Sequence, residues 1–256
     1  MTTRTVQGFA ILIVFVLLWI PAGQSTFLIS HWMKLGTFML PLLLFVAFKS
    51  HEPGREPRYR SPGFVAILLL AAYLIHQFEE HWIDVLGNQY AFQCSINALV
   101  QNALVPPPDQ IGPLTEEAIF FINTSLVWLV AAIAIWQAPE RTFPTLTLAA
   151  IVIVNGIVHI AGSILTLKYN PGLLTSVLIF VPFAILAYMV IPARRAVIFL
   201  SVAWAVSAHI IMAIGMMAST WWGLISPPVY YAILVAWSVL PLALSMAAPR
   251  KLEDKD

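Results

Sequence analysis

Charged residues are scarce in this chain. Only 10% of its 256 residues are Asp, Glu, Lys or Arg, and 60% are hydrophobic, whereas soluble domains carry about 25% charged residues. So little charge cannot cover the surface of a soluble domain, which identifies an integral membrane protein. The formal net charge is only +1, so we expect no nucleic-acid partner.

Cysteine is nearly absent as well. Cys94 is the only one, which excludes an internal disulfide and a structural zinc site built on cysteines. The sequence also contains no haem attachment motif, no clear internal repeat and no low-complexity tract. Many transporters are built from internal repeats, so the lack of one weighs against that class.

Long apolar runs are what the chain has in abundance. A helix needs about 20 apolar residues to cross the hydrocarbon core, where helices satisfy their own backbone groups. Proline, glycine and polar residues separate eight such runs. The sequence therefore predicts an all-α fold, a single polytopic transmembrane bundle over residues 1–256 with about eight spans. The predicted spans are residues 6–22, 27–48, 64–86, 115–137, 144–167, 172–191, 196–218 and 227–247.

Basic residues are divided unequally between the two ends of these spans. We call the side that holds the N-terminus side A and the opposite side B. Lys168 is the only Lys or Arg in the predicted side B loops, whereas the side A loops and the short charged tail 249–256 are rich in both. Cytoplasmic loops carry the excess of Lys and Arg, so side A and both termini are predicted to be cytoplasmic. The expected location is the bacterial inner (plasma) membrane.

Two segments have alternative interpretations. Residues 1–25 have a basic start, an apolar stretch and small residues, as signal peptides do, but we interpret them as a retained first span. Residues 87–114 form the longest loop, on side B, and contain no Lys or Arg. Their spaced apolar residues indicate an interfacial or re-entrant piece, and an ordinary loop or a lid over a site are the alternatives.

The third span carries an unusual cluster of ionisable residues. Ionisable groups inside a membrane cost several kcal/mol and are a functional hypothesis by default. His76, Glu79 and Glu80 are spaced three and four residues apart, which places them on one helical face. His81 lies more than a quarter turn from Glu80, so we assign it a supporting role.

Two other spans supply histidines at a similar depth. Asn155 and His159 lie four residues apart in the fifth span, and His209 lies in the seventh. At about 1.5 Å per residue, both histidines lie within roughly one helical turn of the level of His76. We therefore expect the three imidazoles to meet near the middle of the bilayer.

Three imidazoles and a carboxylate are a suitable inner shell for a divalent metal ion, with zinc expected and iron as the alternative. His76 and Glu80 have the i, i+4 spacing of helical metal pairs, so the predicted ligands are His76, Glu80, His159 and His209. Glu79 is then the predicted general base. The reverse assignment of the two acids stays open.

Several polar residues are candidates for supporting or substrate contacts. Asn155 shares a helical face with His159. Asn123 reaches a similar depth and either donates to a substrate or packs between helices. Tyr169, in a Pro-Gly turn, is expected at the rim of the site. Lys34 either extends toward side B or holds an anionic group.

Three pieces of the sequence together resemble one known family. The segment His76–Glu80 reads HQFEE, a second histidine follows at His159, and Tyr169–Gly172 reads YNPG. This order is similar to that of the HXXEE family of integral membrane proteins, over about residues 65–180. The family is uncharacterised, so the resemblance implies a shared site and no particular activity.

The leading hypothesis is a membrane-embedded metal-dependent enzyme, a hydrolase acting on a lipophilic or amphiphilic substrate. A bound ion would activate water, and the substrate would arrive laterally from lipid or from side B. The alternatives are an iron-dependent oxygenase, such as a hydroxylase or desaturase, and a proton-coupled small-molecule transporter, because Glu and His also form proton relays. A structural or sensory role, including haem binding, is a further alternative. The sequence leaves the oligomeric state open.

Overall fold

The computed structural model describes residues 3–49, 58–104 and 112–247. In these ranges the chain forms nine helices, which we number α1 to α9, and a short 3-10 turn at Arg58–Arg60. The helices are α1 Thr3–Ala22, α2 Thr26–Lys49, α3 Pro62–His81, α4 Ala91–Ala103, α5 Glu116–Gln137, α6 Phe143–Thr166, α7 Leu173–Val190, α8 Arg195–Trp221 and α9 Pro227–Ala247.

The helix lengths agree with a multi-pass membrane protein. Among the described residues, seven helices are long and apolar enough to cross a membrane, namely α2, α3 and α5 to α9. The apolar part of α1, Ala10–Ala22, is shorter. The predicted all-α bundle of about eight spans is confirmed. The tail 249–256 lies outside the described residues, and the cytoplasmic position of the termini stays a prediction.

Helix α5 is the centre of the bundle. Its apolar window is 83% buried, against 61% for α3 and at most 39% for the other spans. Helix α1 packs on it, where Trp19 Nε1 donates a hydrogen bond to Thr124 Oγ1 at 2.7 Å. Helix α3 contacts four other spans, α2, α5, α6 and α7.

Helix α3 ends five residues before the predicted boundary at residue 86. Asp84 closes the chain into a turn by accepting hydrogen bonds from the backbone N–H groups of Leu86 and Asn88 at 2.9 and 2.8 Å. Burial raises the pKa of Asp84, but the hydrogen bonds from Asn88 and the neighbouring backbone outweigh it and hold the pKa below its usual value. A helix cannot continue through this turn.

The early end of α3 corrects the predicted depth of the cluster. His76 lies five residues before the end of α3 and His159 seven before the end of α6, or about 8 and 10 Å along the helix axes. The cluster therefore lies in the side B half of the spans and not at their middle.

The segment 87–114, for which an interfacial or re-entrant piece was expected and an ordinary loop or a lid were the alternatives, contains the helix α4. None of its residues is buried. Gln93 Nε2 and Asn97 Nδ2 both donate to the carbonyl oxygen of Leu114 at 2.9 Å. The Phe92 ring lies 5.3 Å from the His81 ring and 5.6 Å from the His159 ring, so α4 rests over the cluster. Residues 105–111 of this loop lie outside the described residues.

Candidate functional site

The carboxylate of Glu80 lies at the centre of three histidines. Its Oε2 atom is 3.4 Å from His76 Nε2 and 3.0 Å from His81 Nε2, and its Oε1 atom is 3.3 Å from His159 Nε2. All four side chains are at most 6% exposed. In the described part of the chain, the ligand atoms of His76, Glu80 and His159 lie within 4.8 Å of one another.

The hydrogen bonds around His76 define which of its nitrogens carries the proton. Thr175 Oγ1 donates to the Glu79 carboxylate at 2.6 Å, since a carboxylate only accepts. The same hydroxyl oxygen lies 2.8 Å from His76 Nδ1, and therefore accepts a hydrogen bond from Nδ1–H. His76 Nε2 is then a bare acceptor, and it is buried with no hydrogen-bond partner.

His159 has the same tautomer for an analogous reason. Asn170 Nδ2 donates to the backbone carbonyl of His159 at 2.8 Å and to Ser163 Oγ at 2.7 Å. Because a carbonyl only accepts, this contact fixes the orientation of the amide. Asn170 Oδ1 therefore accepts from His159 Nδ1–H at 2.8 Å, and the Nε2 lone pair of His159 points to Glu80.

His81 is oriented by a longer chain of side chains. Trp128 Nε1 is a donor only, so its 3.2 Å contact makes Gln77 Oε1 the acceptor. Gln77 Nε2 then donates to Asn123 Oδ1 at 2.9 Å. Asn123 Nδ2 donates to the carbonyl of Ile119 at 2.9 Å and lies 3.3 Å from His81 Nε2. That nitrogen faces both the Asn123 amide and the Glu80 carboxylate, so a neutral His81 either accepts from the amide or donates to the carboxylate.

Two acceptor nitrogens, Nε2 of His76 and Nε2 of His159, thus face one carboxylate without a proton between them. Lone pairs that face a carboxylate oxygen at these distances repel it, and burial strengthens the repulsion. Positive charge at the cluster, as a metal ion or as added protons, removes the repulsion. His81, which was expected more than a quarter turn from Glu80 in a supporting role, has its Nε2 atom 3.0 Å from the Glu80 carboxylate.

Glu79, the neighbour of Glu80 in sequence, faces a different element. Its carboxylate accepts hydrogen bonds from Tyr169 Oη at 2.9 Å, from the backbone N–H groups of Leu174 and Thr175 at 3.1 and 2.8 Å, and from Thr175 Oγ1. A carboxylate at a helix N-terminus is stabilised by the free N–H groups and by the helix dipole. These hydrogen bonds occupy both oxygens of the Glu79 carboxylate and give no support to its predicted role as general base.

The YNPG segment is the counterpart of the HQFEE segment. Tyr169 binds Glu79, and Asn170 orients His159. Burial and the hydrogen bond to Glu79 raise the pKa of Tyr169, so its hydroxyl stays protonated and able to donate. Gly172 has a φ of 91°, and a Cβ atom there would lie 2.7 and 2.8 Å from the Cε1 atoms of His76 and His159. Only glycine lets this loop pass so close to both rings.

The helix that follows the YNPG segment packs against the His76 ring. Residues Ser176–Phe180 of α7 are π-helical, an irregularity that is frequent at functional sites. The Phe180 ring stacks on the His76 ring with 4.1 Å between centroids. An apolar wall therefore holds the imidazole on one side, while Thr175 holds its Nδ1 atom.

Two cavities border Glu80 and His81. The smaller has a volume of about 20 Å³ and is also lined by Ser30, Gln93 and Glu116. The larger, of about 100 Å³, extends along α6 and α8. It is lined mainly by apolar side chains, with His159, His209, Asn123, Asn155 and Tyr73 among them.

Not every predicted site residue joins the cluster. His209 lines the larger cavity, but its nitrogens are not in the group of mutually close ligand atoms described above, and its role as a ligand stays a prediction. Lys34 Nζ lies 4.9 Å from the Trp82 ring and 5.8 Å from the Tyr90 ring, which places its ammonium group beside aromatic side chains. Asn155 donates to the Tyr73 hydroxyl at 2.8 Å.

Sequence reasoning missed the residues that orient the histidines. Thr175, Asn170 and Gln77 each hold one imidazole directly or through another side chain. Two of them lie inside the sequence motifs, Gln77 in HQFEE and Asn170 in YNPG, which was the available signal. Thr175 carried no signal, because its contact with His76 depends on how α7 docks against α3.

The fold and the site define a class: a multi-pass helical membrane protein with buried histidines around one carboxylate. Residues 67–187 match the model of the HXXEE family, described as a protein of unknown function with HXXEE motif. The predicted resemblance to this family is confirmed over the matched region. It contains the cluster and the YNPG segment and ends before His209. No curated protein and no solved structure that was compared matches the chain.

Proposed function

We propose that this protein is a membrane-embedded metalloenzyme, a hydrolase of a lipophilic or amphiphilic substrate. His76, Glu80 and His159 would hold a divalent cation. The observation that carries the proposal is the convergence of bare Nε2 atoms on the Glu80 carboxylate, each fixed by a partner on the far side of its ring. Metal-binding histidines have such partners, which set their tautomer and orientation.

The distances within the cluster suit a small divalent ion. Ligand atoms about 2.0–2.1 Å from a tetrahedral zinc ion lie about 3.3 Å from one another. His76 Nε2 lies 3.4 Å from Glu80 Oε2, and His159 Nε2 lies 3.3 Å from Glu80 Oε1, so each imidazole has this spacing to one of the two carboxylate oxygens. Nitrogen and oxygen donors without thiolate also suit iron, so zinc is the expected ion and iron the alternative.

The bound ion would lower the pKa of a coordinated water and polarise a substrate carbonyl. His81 replaces Glu79 as the candidate base, because its Nε2 atom lies 3.0 Å from Glu80 and its side chain borders both cavities. Asn123 Nδ2 lies 3.3 Å from that nitrogen and keeps the ring turned toward the cluster. Glu79 and Asn170 then act as positioning residues.

The two cavities suit the two reactants of a hydrolysis. A volume of about 20 Å³ is enough for one water molecule, which needs roughly 10–15 Å³. The larger cavity has mainly apolar walls and includes Val158, which is 55% exposed on the outer face of α6. A lipophilic substrate would therefore reach the cluster from the bilayer, on side B. The bacterial plasma membrane, with side B outside the cytoplasm, is the proposed location.

A proton-coupled transporter is the second candidate, and one observation favours it. Three histidines within 3.0–3.4 Å of one buried carboxylate would also bind protons, as intramembrane relays do. Against it, all these groups lie at one depth and do not form a path across the bundle. The oxygenase alternative keeps the metal site but changes the reaction, with iron as the ion.

Metal analysis of the purified protein separates these candidates. We expect about one equivalent of zinc or iron in the wild type, and we expect His76→Ala and His159→Ala each to lose most of it, because each removes one of three ligands. His31→Ala is the matched control. The His31 ring stacks on Phe27 and its Nδ1 atom bonds to the Phe27 carbonyl, so these contacts involve no residue of the cluster. Absence of metal from the wild type, or full retention in both cluster variants, would overturn the metalloenzyme.

A further inference from the structure

The larger cavity has a second polar region besides Glu80. Tyr73 and Asn155 lie together on its wall. Asn155 Nδ2 donates to the Tyr73 hydroxyl at 2.8 Å, while Asn155 Oδ1 is buried with no hydrogen-bond partner. A buried acceptor without a donor is costly and uncommon in folded proteins. A bound molecule that donates a hydrogen bond would satisfy it.

His209 adds a second acceptor to this region. Its Nδ1 atom lies 2.8 Å from the carbonyl oxygen of Ala205, and a carbonyl only accepts. The proton of the neutral ring is therefore on Nδ1, and Nε2 is an acceptor. Because His209 lines the same cavity as Asn155, the region offers two acceptors, together with one donor in the hydroxyl proton of Tyr73.

The size of the cavity limits what can enter. An engineered cavity of about 150 Å³ binds benzene, so the present volume of about 100 Å³ takes roughly four heavy atoms by the same scale. The remaining walls are apolar side chains, which include Ile122, Leu126, Val127, Ile151 and Met212. The rest of a larger substrate would extend past Val158 into the bilayer.

We propose that Asn155 and His209 recognise a hydroxyl group near the reacting end of the substrate. A hydroxyl matches the region because it donates to Asn155 Oδ1 or His209 Nε2 and accepts from Tyr73. An ether or a plain ester at that position would leave the acceptors unpaired. The substrate is then a lipophilic molecule with a hydroxyl a few bonds from the bond that is hydrolysed. This inference rests on the proposed function for its catalytic meaning.

A pair of small probes tests the inference without a known substrate. Fluorine NMR would measure the binding of 2-fluoroethanol, which is small enough for the cavity, and of its methyl ether, to the full chain in nanodiscs. We expect the alcohol to bind about tenfold more tightly than the ether, a difference of about 1.4 kcal/mol. Equal binding of the two probes, or no saturable binding of the alcohol, would overturn the inference.

Two variants assign the preference to the named residues. Asn155→Leu and His209→Phe keep the side-chain size, and the variant that lacks the acceptor of the hydroxyl proton should lose most of the tenfold preference while binding of the ether is unchanged. Ser238→Ala is the control, because Ser238 is buried on α9 and bonds to the Leu234 carbonyl away from the cavity. A preference that survives in both cavity variants contradicts the assignment.

Metal analysis of the same samples distinguishes this inference from the proposed function. Metal without a preference for the alcohol refutes hydroxyl recognition and leaves the metalloenzyme standing. A preference for the alcohol in a protein that never holds metal refutes the enzyme and leaves the hydroxyl site standing.

Discussion

Gly172 is the residue at which the two motifs come closest. It lies against the Cε1 atoms of His76 and His159, and its φ of 91° is one that side chains with a Cβ rarely adopt. The spacing of ionisable residues was enough to find His76, Glu80 and His159 in the sequence. It was not enough to find this packing, which depends on the approach of a loop from another part of the chain.

Replacing Gly172 by alanine should therefore disrupt the site without removing a ligand. The added methyl would lie under 3.0 Å from both imidazoles, so we expect Gly172→Ala to lose most of the bound metal. Gly223→Ala is the matched control, because Gly223 also has a positive φ but has nothing within 4 Å of its Cβ position. It should bear only the backbone cost of about 1–2 kcal/mol. Equal metal content in the two variants would contradict the packing role of Gly172.

The Glu79 carboxylate is the acceptor in all four of its hydrogen bonds. Replacing it by the amide of glutamine therefore tests its role. Glu79→Gln would turn a donor toward these donors, and we expect a loss of about 1–3 kcal/mol in stability, measured as a lower unfolding temperature in detergent. Glu116→Gln, at an exposed acid, is the control. A Glu79→Gln protein as stable as the wild type but without activity would restore the original assignment of Glu79 as the base.

His209 decides between the predicted ligand set and the observed cluster. Because its nitrogens lie outside the group formed by His76, Glu80 and His159, we expect His209→Phe to keep its full metal content in elemental analysis. Loss of metal comparable with that of His76→Ala would show that the sequence prediction of a fourth ligand was correct.

At the scale of elements, helices α3 and α7 hold each other. Glu79 on α3 binds the N-terminus of α7, and Thr175 on α7 binds His76 on α3. The length of the apolar runs and the positions of prolines predicted the bounds of both helices to within a few residues, except for the end of α3. That end was not predicted, because the turn after it is closed by the side chain of Asp84 and not by Pro or an abrupt change in polarity.

The Asp84 turn should depend on pH in one direction. The folded pKa of Asp84 is lower than its usual value of 3.8, so the turn is fully stabilised above that value and loses this stabilisation as the pH falls through the folded pKa. We expect hydrogen exchange at the Asn88 amide to be protected at neutral pH in the wild type and unprotected in Asp84→Ala, which removes the acceptor oxygen. Equal protection in both proteins at neutral pH would show that the carboxylate does not hold the turn.

At the scale of the whole molecule, the bundle places the cluster toward side B beneath α4. The number of spans could be predicted because each must be long and apolar to cross a membrane. The orientation of the bundle rests on the distribution of Lys and Arg alone. The exposed Cys94 lies on α4, on the side that the charge distribution assigns to the exterior.

Cys94 therefore reports the orientation directly. A maleimide that cannot cross membranes should label it in intact cells, and Cys94→Ser, which removes the only cysteine, should abolish the labelling. Labelling that requires permeabilised cells would place α4 and the cluster on the cytoplasmic side.

The most direct test of the metal site is X-ray absorption at the metal edge of the purified protein. The account predicts only nitrogen and oxygen neighbours at about 2.0–2.1 Å, with the outer-shell scattering of at least two imidazoles, from His76 and His159. An absent metal edge, a sulfur neighbour, or a first shell without imidazole would contradict the central claim that these histidines and Glu80 bind a cation.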